Sequence, residues 1–134
     1  DGLKNILPSI KKFTKGRLIT LFGCGGNRDA GKRPIMGEVA AEYSDFLIVT
    51  SDNPRLEDPI AIINDILPGV KKHQTEYVVV PNRKEAIFYA VQHAQPDDVV
   101  VLAGKGHENY QVLGNEKVHF DEREIVREAL ATLS

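Results

Sequence analysis

Three polar or glycine-rich segments carry most of the side chains that could bind a ligand or take part in chemistry. They read GCGGNRDAGKRP over residues 23–34, SDNPRLED over 51–58 and AGKGHENY over 103–110. Arg28 and Arg55 could each bind a carboxylate through two parallel hydrogen bonds, and Glu108 could accept hydrogen bonds from an ammonium group. Each arginine could equally be a solvated loop charge, and the residues alone leave both interpretations open.

The first segment nearly matches a phosphate-binding P-loop. Residues 26–33 read GNRDAGKR, with Gly31 and Lys32 in the expected place between a strand and a helix. A P-loop needs Ser or Thr at the last position to ligate magnesium, whereas this chain has Arg33 there, followed by Pro34. The sequence therefore favours glycines that allow a tight turn and a close approach of the backbone.

The second segment contains a stiff tetrapeptide, Asp52-Asn53-Pro54-Arg55. A residue before proline prefers extended geometry, and the proline ring fixes its own φ. Such a loop would present Asn53 and Arg55 from a fixed backbone. A plain turn with an exposed arginine is the alternative, and the residues alone slightly favour it.

Other residues with catalytic potential receive less support. His107 could act as a general base but has no evident partner, and the remaining histidines show no ligand spacing: His73, His93 and His119. Cys24, the only cysteine, is expected to be a small buried residue near a strand end, which suits a reducing cytoplasm. No catalytic residue and no metal ligand is predicted in this chain.

The elements that position these segments alternate along the chain. Apolar runs predict strands at 17–22, 46–50, 77–80 and 99–103, and a hairpin over 111–120 that turns at Gly114-Asn115. Periodicity and capping predict helices at 3–13, at 35–43, at 59–67 stopped by Pro68-Gly69, from the Asn82 cap to about Ala94, and after the Asp121 cap.

This pattern predicts an α/β fold: a three-layer Rossmann-like domain with a mostly parallel, six-strand-class sheet, helices on both faces and a C-terminal β-hairpin. Ligands bind beyond the carboxyl ends of the strands in such sheets. The three polar segments each follow such an end, so they are expected to share one edge.

The bulk composition fits a single domain. The chain has 134 residues, 42% of them hydrophobic and 27% charged, and a net charge of −2. This net charge gives no electrostatic reason to expect that the chain binds nucleic acid or an anionic membrane. No apolar run approaches the roughly 20 residues of a membrane span.

Taken together and in this order, GCGGNRDAGKRP, TSDNPR and AGKGHENYQ resemble the C-terminal domain of the Mur ligases over essentially the whole chain, 1–134. More narrowly they are similar to the tripeptide-forming members that add diaminopimelate (the MurE type), for which DNPR is the signature. Lysine-adding members differ at this place. One departure is Asn27, where relatives often have aspartate.

The resemblance implies that seven residues form the site for the incoming meso-diaminopimelate: Arg28, Asp52, Asn53, Pro54, Arg55, Gly104 and Glu108. The two arginines suit the carboxylates of the amino acid. The Gly104 carbonyl and Glu108 suit its far ammonium group, while Asp52 and Pro54 mainly shape the loop.

The resemblance also implies which parts lie elsewhere. Family members bind ATP, Mg²⁺ and the UDP-MurNAc-dipeptide mostly through an N-terminal and a central domain, which carry a true P-loop, magnesium ligands and a carbamylated lysine. The family's DYAHTPD segment would end at Asp1, so we expect this chain to be the C-terminal domain alone, inactive by itself as a ligase or ATPase.

In the family reaction, which belongs to cytoplasmic cell-wall synthesis, the D-glutamate carboxylate of the dipeptide becomes an acyl phosphate. The amine of the incoming amino acid then attacks it. The contribution expected of this domain is proximity and orientation.

Two other functions fit the sequence less well. A free-standing Rossmann-type nucleotide-binding module is disfavoured, because the first loop lacks a clean G-x-G-x-x-G and no acidic residue closes the second strand. A related amide ligase such as folylpolyglutamate synthetase is disfavoured by the DNPR and GKGHE loops. A diaminopimelate analogue of similar shape, such as meso-lanthionine, stays open as the ligand.

Overall fold

The computed structural model of this chain describes residues 2–26, 29–103, 110–113 and 115–133. Its helices are Gly2–Phe13 (α1), Arg33–Tyr43 (α2), Pro59–Val70 (α3), Arg83–His93 (α4) and Glu122–Ala131 (α5), with a short 3₁₀ helix at Ala30–Lys32 before α2. Its strands are Leu18–Phe22 (β1), Phe46–Val49 (β2), Glu76–Val79 (β3), Val99–Leu102 (β4), Tyr110–Leu113 (β5) and Glu116–His119 (β6).

Four of these strands form one parallel sheet in the order β3-β2-β1-β4. One of the two inner strands, β1, is wholly buried. The last two strands form a separate antiparallel hairpin, so the expectation of a single six-strand-class sheet is wrong for the described residues. The reason is visible in their sequences, YQVL and EKVH, which lack the continuous apolar character of strands covered on both faces.

Helices cover both faces of the parallel sheet, which confirms the three-layer α/β fold. On one face, Leu47 of β2 shares a hydrophobic core with residues of α1, α2 and α3, among them Ile63. On the other face, Ile48 packs in a second core with Ile87 of α4 and Ile125 of α5. Because neighbouring residues of a strand point to opposite faces, each short strand serves both cores.

The helix starts follow the capping chemistry of the sequence. The Asn82 side chain accepts a hydrogen bond from the Glu85 amide at 3.0 Å, as the capping pattern predicts. Asp58 and Asp121 cap α3 and α5 in the same way. Among the described residues, no helix is long and apolar enough to cross a membrane.

The predicted end of α3 at Pro68-Gly69 is wrong, because the helix continues to Val70. Pro68 lacks the amide that would donate to the Asn64 carbonyl, yet the helix continues for two residues beyond it. The glycine serves the packing of α3 on α2: a Cβ at Gly69 would lie 1.7 Å from the Pro34 carbonyl oxygen. This close crossing fixes the start of α2, and with it the end of the first polar loop.

Candidate functional site

The polar segments leave the sheet at one edge. Strands β2, β1 and β4 are neighbours in the parallel sheet, so the loops that follow their carboxyl ends start side by side. Four of the seven predicted site residues are described: Asp52, Asn53, Pro54 and Arg55. The other three, Arg28, Gly104 and Glu108, lie outside the described residues, as does His107.

The first and second loops are joined backbone to backbone. The Gly26 amide donates a hydrogen bond of 2.7 Å to the Asn53 carbonyl. A Cβ at Gly26 would lie 1.8 Å from the Pro54 carbonyl oxygen, and one at Gly23 would lie 2.4 Å from that of Thr50. Only glycine fits such approaches, so the interpretation of these glycines as close-contact positions is confirmed.

Arg55 is held against the first loop. It is half-buried, and its guanidinium donates hydrogen bonds to the carbonyls of Gly26 at 3.0 Å and Asn53 at 3.3 Å. Its backbone has a φ of 54°, a left-handed conformation that a non-glycine residue adopts only when its surroundings impose it. Backbone strain of this kind costs about 1–3 kcal/mol and concentrates at ligand-binding sites.

The backbone around Arg55 is also constrained. Asn53 is 3% exposed, and the Glu57 amide closes a turn on the Pro54 carbonyl at 3.0 Å. The tetrapeptide is therefore a stiff platform with a half-buried arginine, rather than the plain turn with an exposed arginine that the residues alone slightly favour.

A buried arginine that the sequence did not single out as a site residue fastens the same two loops. Arg33 is 3% exposed and makes a bidentate pair with Glu57, at 2.9 and 3.2 Å. It also donates to Asp65 at 2.9 Å and to the Gly25 carbonyl at 3.1 Å. The hydrogen bonds to Glu57 are the main cause that raises the pKa of Arg33. Arg33, which stands where a P-loop has Ser or Thr, thus forms ion pairs with other residues of this chain.

A second buried arginine, Arg83, which the sequence did not single out either, lies on the other side of this edge of the sheet. Arg83 is 1% exposed and donates from Nε to Glu122 at 2.7 Å, from Nη1 to the Ser51 carbonyl at 3.1 Å and from Nη2 to the Ala103 carbonyl at 2.8 Å. The position of Arg83 in the sequence could have indicated that it has buried partners. It follows the Asn82 cap, and a cation in the first turn of a helix is unfavourable unless it has partners.

A cleft of about 430 Å³ lies beside the joined loops. Polar side chains on its described lining include Asp29, Lys32 and Asp52, and its apolar lining includes Cys24 and Met36. The Asp29 carboxylate also caps the 3₁₀ helix by accepting from the Gly31 amide at 2.9 Å. The cleft combines charged groups of both signs, which suits a small zwitterionic ligand.

The remaining catalytic candidates do not gain support. Burial raises the pKa of the Cys24 thiol to about 11, so the residue is the inert buried thiol that the sequence predicts. His119 pairs with Glu124 on the surface, and the ring of His93 stacks on Tyr89. Across residues 2–26, 29–103, 110–113 and 115–133, no three acidic, His or Cys side chains form a group that could hold a metal ion.

Comparison with known proteins identifies the family. A family model described as "Mur ligase, glutamate ligase domain" matches residues 1–106. The chain is 58% identical over 133 residues to the UDP-N-acetylmuramoyl-L-alanyl-D-glutamate--2,6-diaminopimelate ligase 1 of Clostridium acetobutylicum, a match that covers 99% of this chain and 27% of that protein. It is 56% identical over 131 residues to the diaminopimelate ligase of Caldanaerobacter subterraneus, covering 98% and 27%.

Two solved structures have folds similar to that of this chain. A structure titled as a UDP-N-acetylmuramoyl-L-alanyl-D-glutamate--2,6-diaminopimelate ligase superimposes with a TM-score of 0.94 at 41% identity, over 99% of this chain and 27% of that one. A domain titled as part of a putative UDP-N-acetylmuramate:L-alanyl-gamma-D-glutamyl-diaminopimelate ligase from Haemophilus ducreyi shares the fold alone, with a TM-score of 0.59 at 10% identity, over 99% of this chain and 82% of that one. The chain thus spans about a quarter of the length of the curated relatives that it matches.

Proposed function

The chain belongs to the Mur ligase family through its glutamate ligase domain, and from this premise we propose that it binds and orients the incoming amino acid in an ATP-dependent ligase of the MurE type. The proposed full reaction adds meso-diaminopimelate to UDP-MurNAc-L-Ala-D-Glu during peptidoglycan synthesis in the cytoplasm. Residues 1–134 are then the C-terminal domain of that enzyme. The names of its relatives, diaminopimelate ligases at 58% and 56% identity, support this proposal.

The observation that carries the proposal is the position of the second loop. Asn53, Pro54 and Arg55 are locked onto the first loop by a glycine contact and by hydrogen bonds, at the edge of the sheet where ligands of this fold bind. A strained, half-buried arginine on a rigid loop is suited to a ligand carboxylate, because little side-chain freedom remains to be lost on binding. We therefore assign Arg55 to the far carboxylate of diaminopimelate.

The described part of the first loop does not fit the magnesium-binding role of a P-loop. The position that would supply a magnesium-binding hydroxyl in a P-loop is Arg33, which is engaged by Glu57, Asp65 and the Gly25 carbonyl. No described group of side chains fits a metal ion either. On this proposal ATP and Mg²⁺ bind mainly in other domains of the ligase, and the fragment alone hydrolyses no ATP.

The chemical contribution of this domain is proximity and orientation. Binding the two carboxylates and the far ammonium group of the amino acid places its reacting amine at a fixed position relative to the acyl group that it attacks. Orienting a nucleophile in this way can lower a reaction barrier by about 7–11 kcal/mol. No proton transfer is assigned to a residue of this chain.

Calorimetric titration of the full-length ligase with diaminopimelate, meso-lanthionine and lysine tests the proposal. Lysine lacks the far carboxylate and thus a charged hydrogen bond worth roughly 1.5–3 kcal/mol, so it should bind about 10- to 100-fold more weakly. Meso-lanthionine keeps both carboxylates and should bind in the same site. Equal affinity for lysine and diaminopimelate, or binding of ATP by residues 1–134 without any binding of diaminopimelate, would overturn the proposal.

A further inference from the structure

The turn that carries Arg55 is held in place from outside its own loop. Arg55 has a left-handed φ of 54°, and the Glu57 amide closes the turn on the Pro54 carbonyl at 3.0 Å. The Glu57 side chain leaves this turn and accepts two hydrogen bonds from the guanidinium of Arg33, at 2.9 and 3.2 Å. The backbone that follows Arg55 is therefore fastened to Arg33.

Arg33 also holds the part of the first loop that the Arg55 side chain contacts. Its Nη2 atom donates to the Gly25 carbonyl at 3.1 Å. The carbonyl of the next residue, Gly26, accepts a hydrogen bond of 3.0 Å from Nη1 of Arg55, and the Gly26 amide donates one of 2.7 Å to the Asn53 carbonyl. One guanidinium thus fixes both the turn that carries Arg55 and the backbone that the Arg55 side chain contacts.

Arg33 can act as an anchor because its own surroundings are fixed. It is the first residue of α2 and is 3% exposed. The close approach of Gly69 to the Pro34 carbonyl sets the position of this helix start against α3. Asp65 of α3 accepts a further hydrogen bond from Nη1 of Arg33 at 2.9 Å. Because a guanidinium is planar, its partners keep fixed directions relative to one another.

Stability alone is a weak reason for this arrangement. A buried cation gives up its hydration, and the first turn of a helix disfavours positive charge. An apolar residue of similar volume is often as stabilising as a buried ion pair. A strained left-handed residue, in contrast, persists only where surrounding contacts impose its conformation. The pair of Arg33 with Glu57 is such a contact, two residues along the chain from Arg55.

We propose that Arg33 and Glu57 are positioning residues, whose ion pair holds the strained turn at Arg55 against the first loop and so orients the Arg55 guanidinium for the far carboxylate before the amino acid binds. The inference rests on the proposed function, in which Arg55 binds that carboxylate. In this role neither Arg33 nor Glu57 contacts the ligand, and both act through Arg55. Losing their pair should weaken the use of diaminopimelate by the same route as losing Arg55.

The test is a double-mutant cycle in the full-length ligase, measured by steady-state kinetics on Glu57→Ala, Arg55→Ala and the two combined. Glu57→Ala lets the turn relax and should raise the KM for diaminopimelate by about 10-fold, the scale of one charged hydrogen bond, while the KM for ATP stays within 2-fold. Because Glu57 acts through Arg55, adding Glu57→Ala to Arg55→Ala should cause no further rise. Independent effects would multiply instead.

Asp65→Ala is the matched control, because Asp65 pairs with the same guanidinium at the same distance of 2.9 Å. The two carboxylates are also similarly exposed, at 47% for Asp65 and 35% for Glu57, but Asp65 lies on α3 and not in the loop. The two alanine variants should unfold at similarly lowered urea concentrations, yet Asp65→Ala should leave the KM for diaminopimelate within 2-fold. Glu57→Gln, which keeps an acceptor without the charge, should raise that KM less than Glu57→Ala.

The outcomes separate the two proposals. The positioning role is wrong if Glu57→Ala and Asp65→Ala change the KM for diaminopimelate alike, or if the effects of Glu57→Ala and Arg55→Ala multiply. It is also wrong if the KM values for diaminopimelate and ATP rise together. If Glu57→Ala does not fold, Glu57→Gln takes its place in the cycle, and wild-type kinetics of that variant would overturn the role. If Arg55→Ala leaves the use of diaminopimelate unchanged, the proposed function itself has failed.

Discussion

Replacing Gly26 by alanine should separate the first two loops. The new Cβ would lie 1.8 Å from the Pro54 carbonyl oxygen and 2.5 Å from its carbon, both of them backbone atoms that cannot rotate away. Ordinary contact needs about 3.5 Å, so Pro54 must retreat by roughly 1.5 Å or more. That movement also breaks or stretches the 2.7 Å hydrogen bond from the Gly26 amide to the Asn53 carbonyl.

The structure sets the size of the effect. Overpacking typically costs about 1–3 kcal/mol and a lost hydrogen bond about 0.5–1.5 kcal/mol, so the free energy of unfolding should fall by about 1.5–4.5 kcal/mol. A displacement of about 1 Å in a positioning group can lower a rate by about 100-fold. We therefore expect the kcat/KM for diaminopimelate to fall by about 10- to 100-fold in the full-length ligase, with the KM for ATP unchanged.

Urea denaturation of the chain and steady-state kinetics of the ligase would measure the two effects. Gly31→Ala is the matched control in the same loop, because a Cβ there would meet only the flexible Asp29 side chain, at 3.2 Å. If Gly26→Ala behaved like Gly31→Ala in both measurements, the contact between the two loops would not position the site.

Two further predictions concern groups outside the joined loops. Burial raises the pKa of the Cys24 thiol to about 11, so fewer than about one thiol in a hundred is ionised at pH 8. Because the thiolate is the reactive form, a thiol reagent should label Cys24 only when the protein unfolds. Fast labelling of the native chain would contradict this prediction. The hydrogen bond to Glu124 raises the pKa of His119 above its ordinary value of 6.5, so the pair stabilises the fold fully below about pH 6.5 and ceases to do so as the pH rises through the folded pKa. Proton NMR of the His119 ring should show this raised pKa falling in Glu124→Gln, and an identical titration in the two proteins would refute it.

Much of the fold could be predicted from short-range pattern. The apolar runs at 46–49 and 99–102 form strands whose two faces pack against the two cores, and the Asn82 cap places the start of α4 at the correct residue. The carboxyl-edge position of the second loop follows from the parallel sheet alone. These features depend on neighbouring residues, and the sequence shows those directly.

The features that the sequence did not reveal depend on residues far apart in the chain. Arg33 finds its partners Glu57 and Asp65 after 24 and 32 residues, and Arg83 finds Glu122 after 39. Neither pairing has a local signature. The end of α3 differs from the sequence-based prediction for the same reason, because the packing of Gly69 on α2 overrides the helix-breaking tendency of a Pro-Gly pair.

On the proposed function, Arg55 binds the carboxylate that distinguishes diaminopimelate from lysine, and the preference of the full-length ligase between these two amino acids tests this assignment. Arg55→Ala should lower the kcat/KM for diaminopimelate by about 10- to 100-fold, leave that for lysine nearly unchanged and leave the KM for ATP unaltered. Arg55→Lys should also be impaired, since a point charge cannot reproduce the planar fork. Because Arg55 also donates to the Gly26 and Asn53 carbonyls, a purely structural role would lower the use of both amino acids alike. An unchanged ratio between diaminopimelate and lysine in Arg55→Ala would therefore contradict the account.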